Sequence, residues 1–438
     1  MKKKLLTVFC LVLATVGRIT AHSYTLEECF TAGITNDYQL DILENATDKQ
    51  RLAKKTALFS FTPEITTSGT FNYASDVPEL DLTEINPLFS GTIPLGKKQN
   101  SDIAVSVTEV IFSGLAREYT VRLAQKSLDA ARLKEEQRQD TVRETILQLA
   151  YSSTLSELGI ESLNAGIERL KLDLTRIQSF YERGLVPEYD LLDIRSKVQE
   201  QEMKKKSLSS GQKNILTQLR AITGLDDITG VQLPQQYTDL FPEIPVSTAE
   251  NKISENKDLQ TRLLAQDSAE LIQNRDRAAF LPVIAGSGTF HYANPGLNYM
   301  GDSWQSYYSA GIVVHFDLWS RGQKLSAVET DKLSVLQAGK AVEDIRRSLL
   351  QELQQDQETL KSFNEQLVFA SSLLEMKKKQ YTLVYDLWEK GQKSTVDVLT
   401  AEAELTAADI RVKNYRIQYL SLYHRVLLLL NEPLWRKE

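Results

Sequence analysis

Hydrophobic residues recur along two long stretches of the chain with the spacing of coiled-coil helices. Between 159 and 181 the interval between apolar residues alternates strictly between three and four. A matching pattern covers 367–388, where Lys377 departs from it, and the same period continues through 398–429. A sustained 3.5-residue period is typical of helices that pack into a left-handed supercoil. The sequence therefore predicts long helices that pack against one another.

Four shorter segments instead alternate apolar and polar residues with a period of two. Strands are predicted at about 64–74, 101–112, 283–293 and 304–318. Each is roughly 10 residues long with aromatic residues near its ends, which is typical of outer-membrane β-strands. A half-exposed hairpin of a soluble protein shows the same alternation, so one such segment alone leaves both interpretations open.

The fourth segment predicts which side chains would face lipid. Ile312 and Val314 are expected on the lipid side, and Val313 and His315 on the lumen side. Four strands cannot close a barrel, and lipid tolerates no open strand edge. If these strands span a membrane, several chains must share one barrel.

The chain is predicted to be an internal duplication. Residues 61–74 recur as 280–293 with nine of fourteen positions identical, and the segment that begins at Tyr181 recurs from Trp388. The first match has an offset of 219 and the second an offset of 207, which places twelve extra residues in 75–100 of the first half. Each half is therefore expected to contain helix, strand, loop, strand, very long helix, tight turn and helix.

This succession sets the predicted boundaries. The first repeat is 22–224, with its long helix running to 183, its tip at 184–187 and a return helix after it. A coil-like linker with three prolines covers 225–247. The second repeat is 248–438, with its long helix running to 390, its tip at 391–394 and a return helix.

Composition and charge exclude several classes of function. Hydrophobic residues make up 42% and charged residues 25%, as in a folded chain. A net charge of −7 gives no basic surface, so no nucleic acid partner is expected. The four histidines are scattered without metal-ligand spacing, and no cofactor is expected. No serine, cysteine or histidine cluster has catalytic spacing, so an enzyme is the weakest hypothesis.

The first 21 residues are predicted to be a secretory signal peptide. Lys2, Lys3 and Lys4 form a positive region, 5–16 is an apolar run of twelve, and Ala21 offers a cleavage site. With this segment removed, Cys29 has no cysteine partner within the chain. The mature protein is expected to be exported.

The duplicated unit and its two turn motifs resemble the TolC family of outer membrane efflux proteins. The motifs run from Tyr181 to Leu192 and from Gly391 to Ala401. The resemblance implies a mainly α fold with a membrane β-barrel portion: a long coiled-coil α-helical barrel, and four β-strands per chain that contribute to a 12-stranded barrel in a homotrimer. It places the protein in the outer membrane of a Gram-negative bacterium, in contact with outer membrane lipid and with a large periplasmic extension.

The resemblance also implies a function. The protein would be the outer membrane channel of a tripartite efflux or type I secretion system. It would conduct substrates passively from the periplasm to the exterior when coupled to a periplasmic adaptor protein and an inner-membrane transporter of the RND, ABC or similar class. In such a system the linker at 225–247 would be the equatorial connection between the repeats.

Two sets of residues carry functions that the resemblance implies. The residues implied to dock the adaptor at the tips are Gly184, Leu185, Val186, Pro187, Gly391, Gln392, Lys393 and Ser394. From the residues themselves, Gly184 and Gly391 suit left-handed helix caps and Pro187 can open the next helix, which requires no partner.

A periplasmic gate is implied at Asp190, Asp193, Trp388, Lys393 and Asp397. Asp190 and Lys393 match positions that can pair across neighbouring tip helices, and Asp397 matches an aspartate that trimer symmetry would repeat as a ring. The second aspartate of that ring falls on Thr400 here, and Trp388 replaces the family's tyrosine. Aspartates near helix N-termini are also favourable without any gate, so both interpretations stay open.

The alternative hypothesis is a periplasmic coiled-coil adaptor, or membrane fusion protein, because adaptors also contain long helical hairpins. An adaptor is expected to have one hairpin, flanked by a lipoyl-like β-sandwich. The duplication and the spanning-type strands favour the channel.

Overall fold

The computed structural model describes residues 22–81, 91–233, 252–317 and 320–432. The predicted signal peptide and most of the predicted linker lie outside these ranges. The chain is mainly helical with a few strands, as predicted. It divides into a helical unit, formed by Met1–Ile42, Glu135–Lys257 and Arg346–Glu438, and a strand-bearing unit, formed by Leu43–Lys134 and Asp258–Ile345.

The long helices form where proline is absent from the sequence. The helices are α1 (Leu26–Thr35), α2 (Tyr38–Phe59), α3 (Ala116–Glu182), α4 (Glu188–Thr223), α5 (Lys257–Ala278), α6 (Arg321–Glu389) and α7 (Thr395–Leu429). A 3₁₀ turn at Ile253–Glu255 precedes α5. The ends of α3 and α6 lie one residue before the predicted ends at 183 and 390. Among the described residues, none of the helices is both long and apolar enough to cross a membrane.

The helical unit has a core in which helices from both repeats pack around a small parallel sheet. Strand β1 (His22–Thr25) pairs with a strand at Ile228–Gln232. The core side chains include Cys29 and Phe30 of α1, Ile146 of α3 and Ile417 of α7, all buried. The predicted coil over the linker is therefore wrong at Ile228–Gln232, because Ile228 is fully buried in this core and its backbone hydrogen bonds are made to β1.

The strand-bearing unit contains a four-stranded antiparallel sheet. The strands of this unit are β2 (Glu64–Tyr73), β3 (Glu79–Asp81), β4 (Thr92–Pro94), β5 (Gln99–Phe112), β7 (Val283–Asn294) and β8 (Gln305–His315). The strand Ile228–Gln232 of the helical unit is β6. The sheet order is β2-β5-β7-β8, so β2 and β8 are its edges within the chain. Strands β2, β5 and β7 lie within two residues of the predicted segments at each end, whereas β8 ends at His315, before the predicted end at 318, which lies outside the described residues. The small β3–β4 hairpin lies in 75–100, where the extra residues of the first repeat were placed.

The register of the four strands separates an apolar face from a polar one. Alternate residues of a strand point to the same face of the sheet. Because Gly286 of β7 pairs with Ile312 of β8, the apolar residues of the two strands lie on one face. The exposed apolar side chains on that face include Ile65, Phe71, Ile103, Val105, Phe290, Tyr308, Ile312 and Val314. Tyr308 and Ile312 are 84% and 71% exposed in the single chain. An apolar surface of this kind is rare on a soluble monomer.

The opposite face is polar and has its own hydrogen bonds. His291 Nδ1 lies 2.9 Å from an Asp102 carboxylate oxygen, and the His291 ring stacks on Tyr307 with centroids 4.7 Å apart. Nearby, the Ser106 and Thr289 hydroxyls are 3.0 Å apart. Val313 and His315 belong to this face by register, and Ile312 and Val314 to the apolar one.

Candidate functional site

The two long helices end in the same hydrogen-bonded turn. Gly184 has φ +69° and Gly391 has φ +71°, the left-handed conformation that favours glycine. The Gly184 and Leu185 N–H groups donate to Tyr181 and Phe180 carbonyls, each at 2.9 Å. Gly391 and Gln392 repeat both bonds to Trp388 and Leu387 at 2.9 Å. This pair of bonds defines a Schellman motif, so both sequence-predicted caps are present.

The two return helices begin differently. Pro187 is the N-cap of α4 and makes no side-chain cap hydrogen bond, so it stands one residue before the first helical position expected for it. Ser394 is the N-cap of α7 and forms a capping box with Asp397. The Asp397 N–H donates to Ser394 Oγ at 3.2 Å, and an Asp397 carboxylate oxygen accepts from the Ser394 N–H at 3.0 Å. The hydrogen bond from the Ser394 backbone N–H lowers the pKa of Asp397 below its usual value.

Most tip residues assigned to docking are accessible. Gly184, Leu185, Pro187 and 391–394 are exposed in the chain, and Leu185 is 67% exposed. Val186 is half-buried and packs against the apolar cluster behind the tips. The tips thus present backbone, one exposed leucine and the Lys393 ammonium to solvent.

Trp388 lies inside that cluster rather than on an open surface. It is 7% exposed and packs with Leu191 and Ile194 of α4 and Val398 of α7. Its ring centroid lies 6.0 Å from that of Phe180. In the single chain Trp388 therefore joins the two helical hairpins of the tip through apolar contact.

The charged residues assigned to the gate are near one another but pair differently within the chain. Asp190 accepts a hydrogen bond from the buried Thr395 hydroxyl at 3.1 Å. Lys393 Nζ lies 3.7 Å from Asp397, one turn away on the same hairpin. Asp193 lies on the second turn of α4 and is half-buried. An Asp190–Lys393 pair between neighbouring chains stays a prediction.

The structure adds a buried polar cluster that sequence reasoning missed. Arg169 of α3 donates to Glu402 at 3.0 Å and to Thr406 at 2.9 Å, both on α7. Thr406 in turn donates to Glu402 at 2.7 Å, and the Glu402 residue is 1% exposed. A Cβ on Gly166 would lie 2.8 Å from Thr406 Oγ1. Glycine at 166 therefore allows α7 to approach α3 closely enough for the ion pair.

Asp173 is buried one turn from Arg169 on the same helix. It is 2% exposed, and burial raises the pKa of its carboxyl to about 6, with the nearby Glu402 carboxylate acting in the same direction. The Arg176 and Arg169 guanidinium groups oppose that shift in the Asp173 pKa. Gly159, Gly166 and Asp173 are spaced by seven residues and all are buried. This second buried line on α3 is the sequence signal that could have revealed the cluster.

No cofactor or metal site emerges from the described part of the chain. It contains no group of three or more histidine, cysteine, aspartate or glutamate residues that could hold a metal ion. The single cysteine there, Cys29, is buried, and burial raises the pKa of its thiol to about 11.

The capping box predicts how the second tip responds to mutation and acid. Ser394→Ala should destabilise the start of α7 by about 0.5–2 kcal/mol, because the Asp397 N–H loses its acceptor. Since the folded pKa of Asp397 is depressed, its contribution is present above the unfolded pKa and is lost as pH falls through the folded value. Amide hydrogen exchange of 395–400 measures both effects. Gln392→Ala at the exposed turn is the matched control, and equal exchange in the two variants would contradict the prediction.

Comparison with known proteins gives a family match for the second half of the chain and a fold for nearly all of it. Residues 249–432 match the family model described as outer membrane efflux protein. Among curated proteins, none matches the sequence. The chain is similar in structure to CusC, described in connection with transmembrane channel formation, with a TM-score of 0.81, 11% identity, and coverage of 97% of this chain and 96% of that one.

Two further outer membrane proteins of known structure support the same fold. For the outer membrane protein VceC from Vibrio cholerae the TM-score is 0.76 at 12% identity, over 94% of this chain and 97% of VceC. For the Campylobacter jejuni CmeC outer membrane channel the TM-score is 0.74 at 16% identity, over 95% and 90% of the chains. The second half of the chain therefore matches the outer membrane efflux protein family by sequence, and nearly the whole chain has the fold of these outer membrane proteins.

Proposed function

We propose that the protein is the outer membrane channel of a tripartite efflux or type I secretion system and not an enzyme. The observation that carries this proposal is the four-stranded sheet with one exposed apolar face and one polar face. In a membrane barrel the apolar face would contact lipid and the polar face would contact the water in the lumen. The family match favours this function over a periplasmic adaptor.

The edges of the sheet support assembly from several copies. Strands β2 and β8 have neighbours on one side within the chain. Unpaired backbone groups are too costly in lipid, so β8 of one copy must pair with β2 of the next. Three copies would give a barrel of 12 strands, a number within the range of outer-membrane barrels.

The tips are the proposed contact with a periplasmic adaptor, which would link the channel to an inner-membrane transporter. Gly184, Leu185 and Pro187 are exposed, as are 391–394 of the second tip. The Schellman turns hold these residues in fixed positions, so little conformational entropy is lost on docking.

Assembly and conductance test the channel directly. The purified protein should be a detergent-dependent trimer, because each chain supplies four strands. In a planar bilayer it should give discrete single-channel currents. Size-exclusion chromatography with light scattering and bilayer recording check the two expectations. A monodisperse monomer that is soluble without detergent would disprove the proposal.

The two faces of β8 provide a matched pair of substitutions. Val314→Arg should impair membrane assembly at a cost of about 2–4 kcal/mol if the residue lies near the bilayer midplane. His315→Arg, on the opposite face by register, should be tolerated. Yield of heat-resistant trimer in the outer membrane measures both. Equal tolerance at the two positions would contradict the assignment of the faces.

The gate residues are proposed to act in two ways. A ring of Asp397 carboxylates would concentrate cations in a narrow pore, while a pair between Asp190 and Lys393 of adjacent chains would hold the tips closed. An exposed ion pair contributes only about 0.2–1 kcal/mol. Its loss should therefore raise the open population modestly and leave global stability nearly unchanged.

Bilayer recording in asymmetric salt separates these roles. Asp397→Asn should lower cation selectivity and weaken block by multivalent cations, whereas Lys393→Ala should chiefly raise conductance. Because Lys393 also lies 3.7 Å from Asp397, Asp190→Asn is a needed companion and should raise conductance as Lys393→Ala does. Unchanged selectivity in Asp397→Asn would reduce that residue to its helix-capping role.

A further inference from the structure

Asp173 is a buried acid whose charge is not matched by a direct partner. The residue is 2% exposed, and its Oδ2 atom accepts no hydrogen bond from any residue that the structure describes. Buried polar atoms are nearly always hydrogen-bonded, so an exception in a packed interior requires an explanation. An ionised carboxylate in this position loses hydration without replacement.

The two arginines nearest to Asp173 are already bound to other carboxylates. Arg169, one turn before it on α3, donates to Glu402 at 3.0 Å. Arg176, one turn after it, pairs with Glu389 of α6. Each guanidinium also lies over a tyrosine of α6, Arg169 over Tyr381 at 5.9 Å and Arg176 over Tyr385 at 5.4 Å. In this packing neither arginine donates a hydrogen bond to Asp173 Oδ2.

The charged and titratable groups around Asp173 come from three helices. Arg169 and Arg176 of α3 and Glu402 of α7 shift the pKa of Asp173, and Asp173 in turn raises the pKa of Tyr381 and Tyr385 of α6. The two tyrosines are neutral at ordinary pH, because burial raises the pKa of each, that of Tyr381 to about 12. Glu402 instead has a direct ion-pair partner in Arg169. Asp173 is the carboxyl in this group whose Oδ2 lacks a hydrogen bond among the described residues, and burial raises its pKa to about 6.

We propose that Asp173 is a proton-operated latch, neutral while α3 packs against α6 and α7 and ionised when these helices move apart. The proposal rests on the proposed channel function, in which the tip helices must separate for the pore to open. The apolar cluster of Leu170, Ile177 and Trp388 surrounds the same level of the helices. Separation there would return the Asp173 carboxylate to water.

The sign of the effect follows from proton linkage. The packed state holds its proton up to a pH of about 6, whereas a solvated aspartate loses it near 3.8. The packed state therefore binds more protons, and its stability rises as pH falls through about 6 and levels off below the solvated value. Between pH 8 and pH 5 the ratio of packed to separated helices should increase about tenfold. Acid should close the channel and mild alkali should release it.

The test compares the wild-type channel with Asp173→Asn, which has nearly the same shape and cannot ionise. In a planar bilayer, the open probability of the wild type should fall at least about tenfold between pH 8 and pH 5, because each of the three chains contributes one Asp173. Asp173→Asn should stay near the wild-type acid value at every pH. Asp386→Asn, an exposed aspartate on α6, is the matched control and should keep the wild-type pH dependence.

A second measurement does not depend on conductance or on the variant. Hydrogen exchange of 166–180 in the wild-type trimer is divided by exchange of 205–220 in α4 at the same pH, which cancels the intrinsic pH dependence of exchange. The ratio should fall about tenfold from pH 8 to pH 5. A flat ratio would overturn the latch, and so would a pH response in Asp173→Asn as steep as in the wild type. If the protein conducts no current while the exchange ratio responds to pH, the channel function fails and the latch stands.

Discussion

The helical unit depends on the need of each long helix to bury two seams instead of one. In a two-stranded coiled coil, one apolar line at 3.5-residue spacing is enough, because each helix has a single neighbour. Here α3 contacts both α6 and α7, as the pairs Phe180–Trp388 and Arg169–Glu402 show. The second seam runs through Gly166 and Asp173 and is narrow and partly polar. Small residues there set how closely the helices approach, and the polar cluster fills the space that they leave.

The apolar repeat along each long helix is visible in the sequence. It predicts most of the helical architecture. Alternation of three and four, together with the glycine turn that follows each helix, predicts the ends of α3 and α6 to within one residue. Period-two alternation predicts β2, β5, β7 and β8 in the same way. These are local properties, in which the identity of a residue and of its near neighbours decides the backbone conformation.

What could not be read depends on contacts between distant segments. Strand β6 was not predicted, because its pairing with β1 and the burial of Ile228 depend on contacts between segments about 200 residues apart. The burial of Trp388 among helices from both hairpins is a fact of the same kind. At the tips the sequence identified the glycine turns and the N-terminal aspartates, but not that Lys393 approaches Asp397 within the chain or that Asp190 accepts from Thr395. In each case several polar groups are within reach of one another. The folded geometry decides which of them pair.

The different beginnings of α4 and α7 have a consequence for how the two halves can diverge. Both tips inherit the same glycine turn, yet one return helix starts at a proline without a side-chain cap and the other at a serine locked to an aspartate. After an ancestral duplication, such a difference frees each hairpin to acquire its own substitutions, because a change that loosens one start leaves the other as it was. In the proposed trimer there would be six hairpins of two kinds, alternating around its axis. The symmetry at the tips would be threefold, and a partner that contacts all six hairpins would have to accept both kinds.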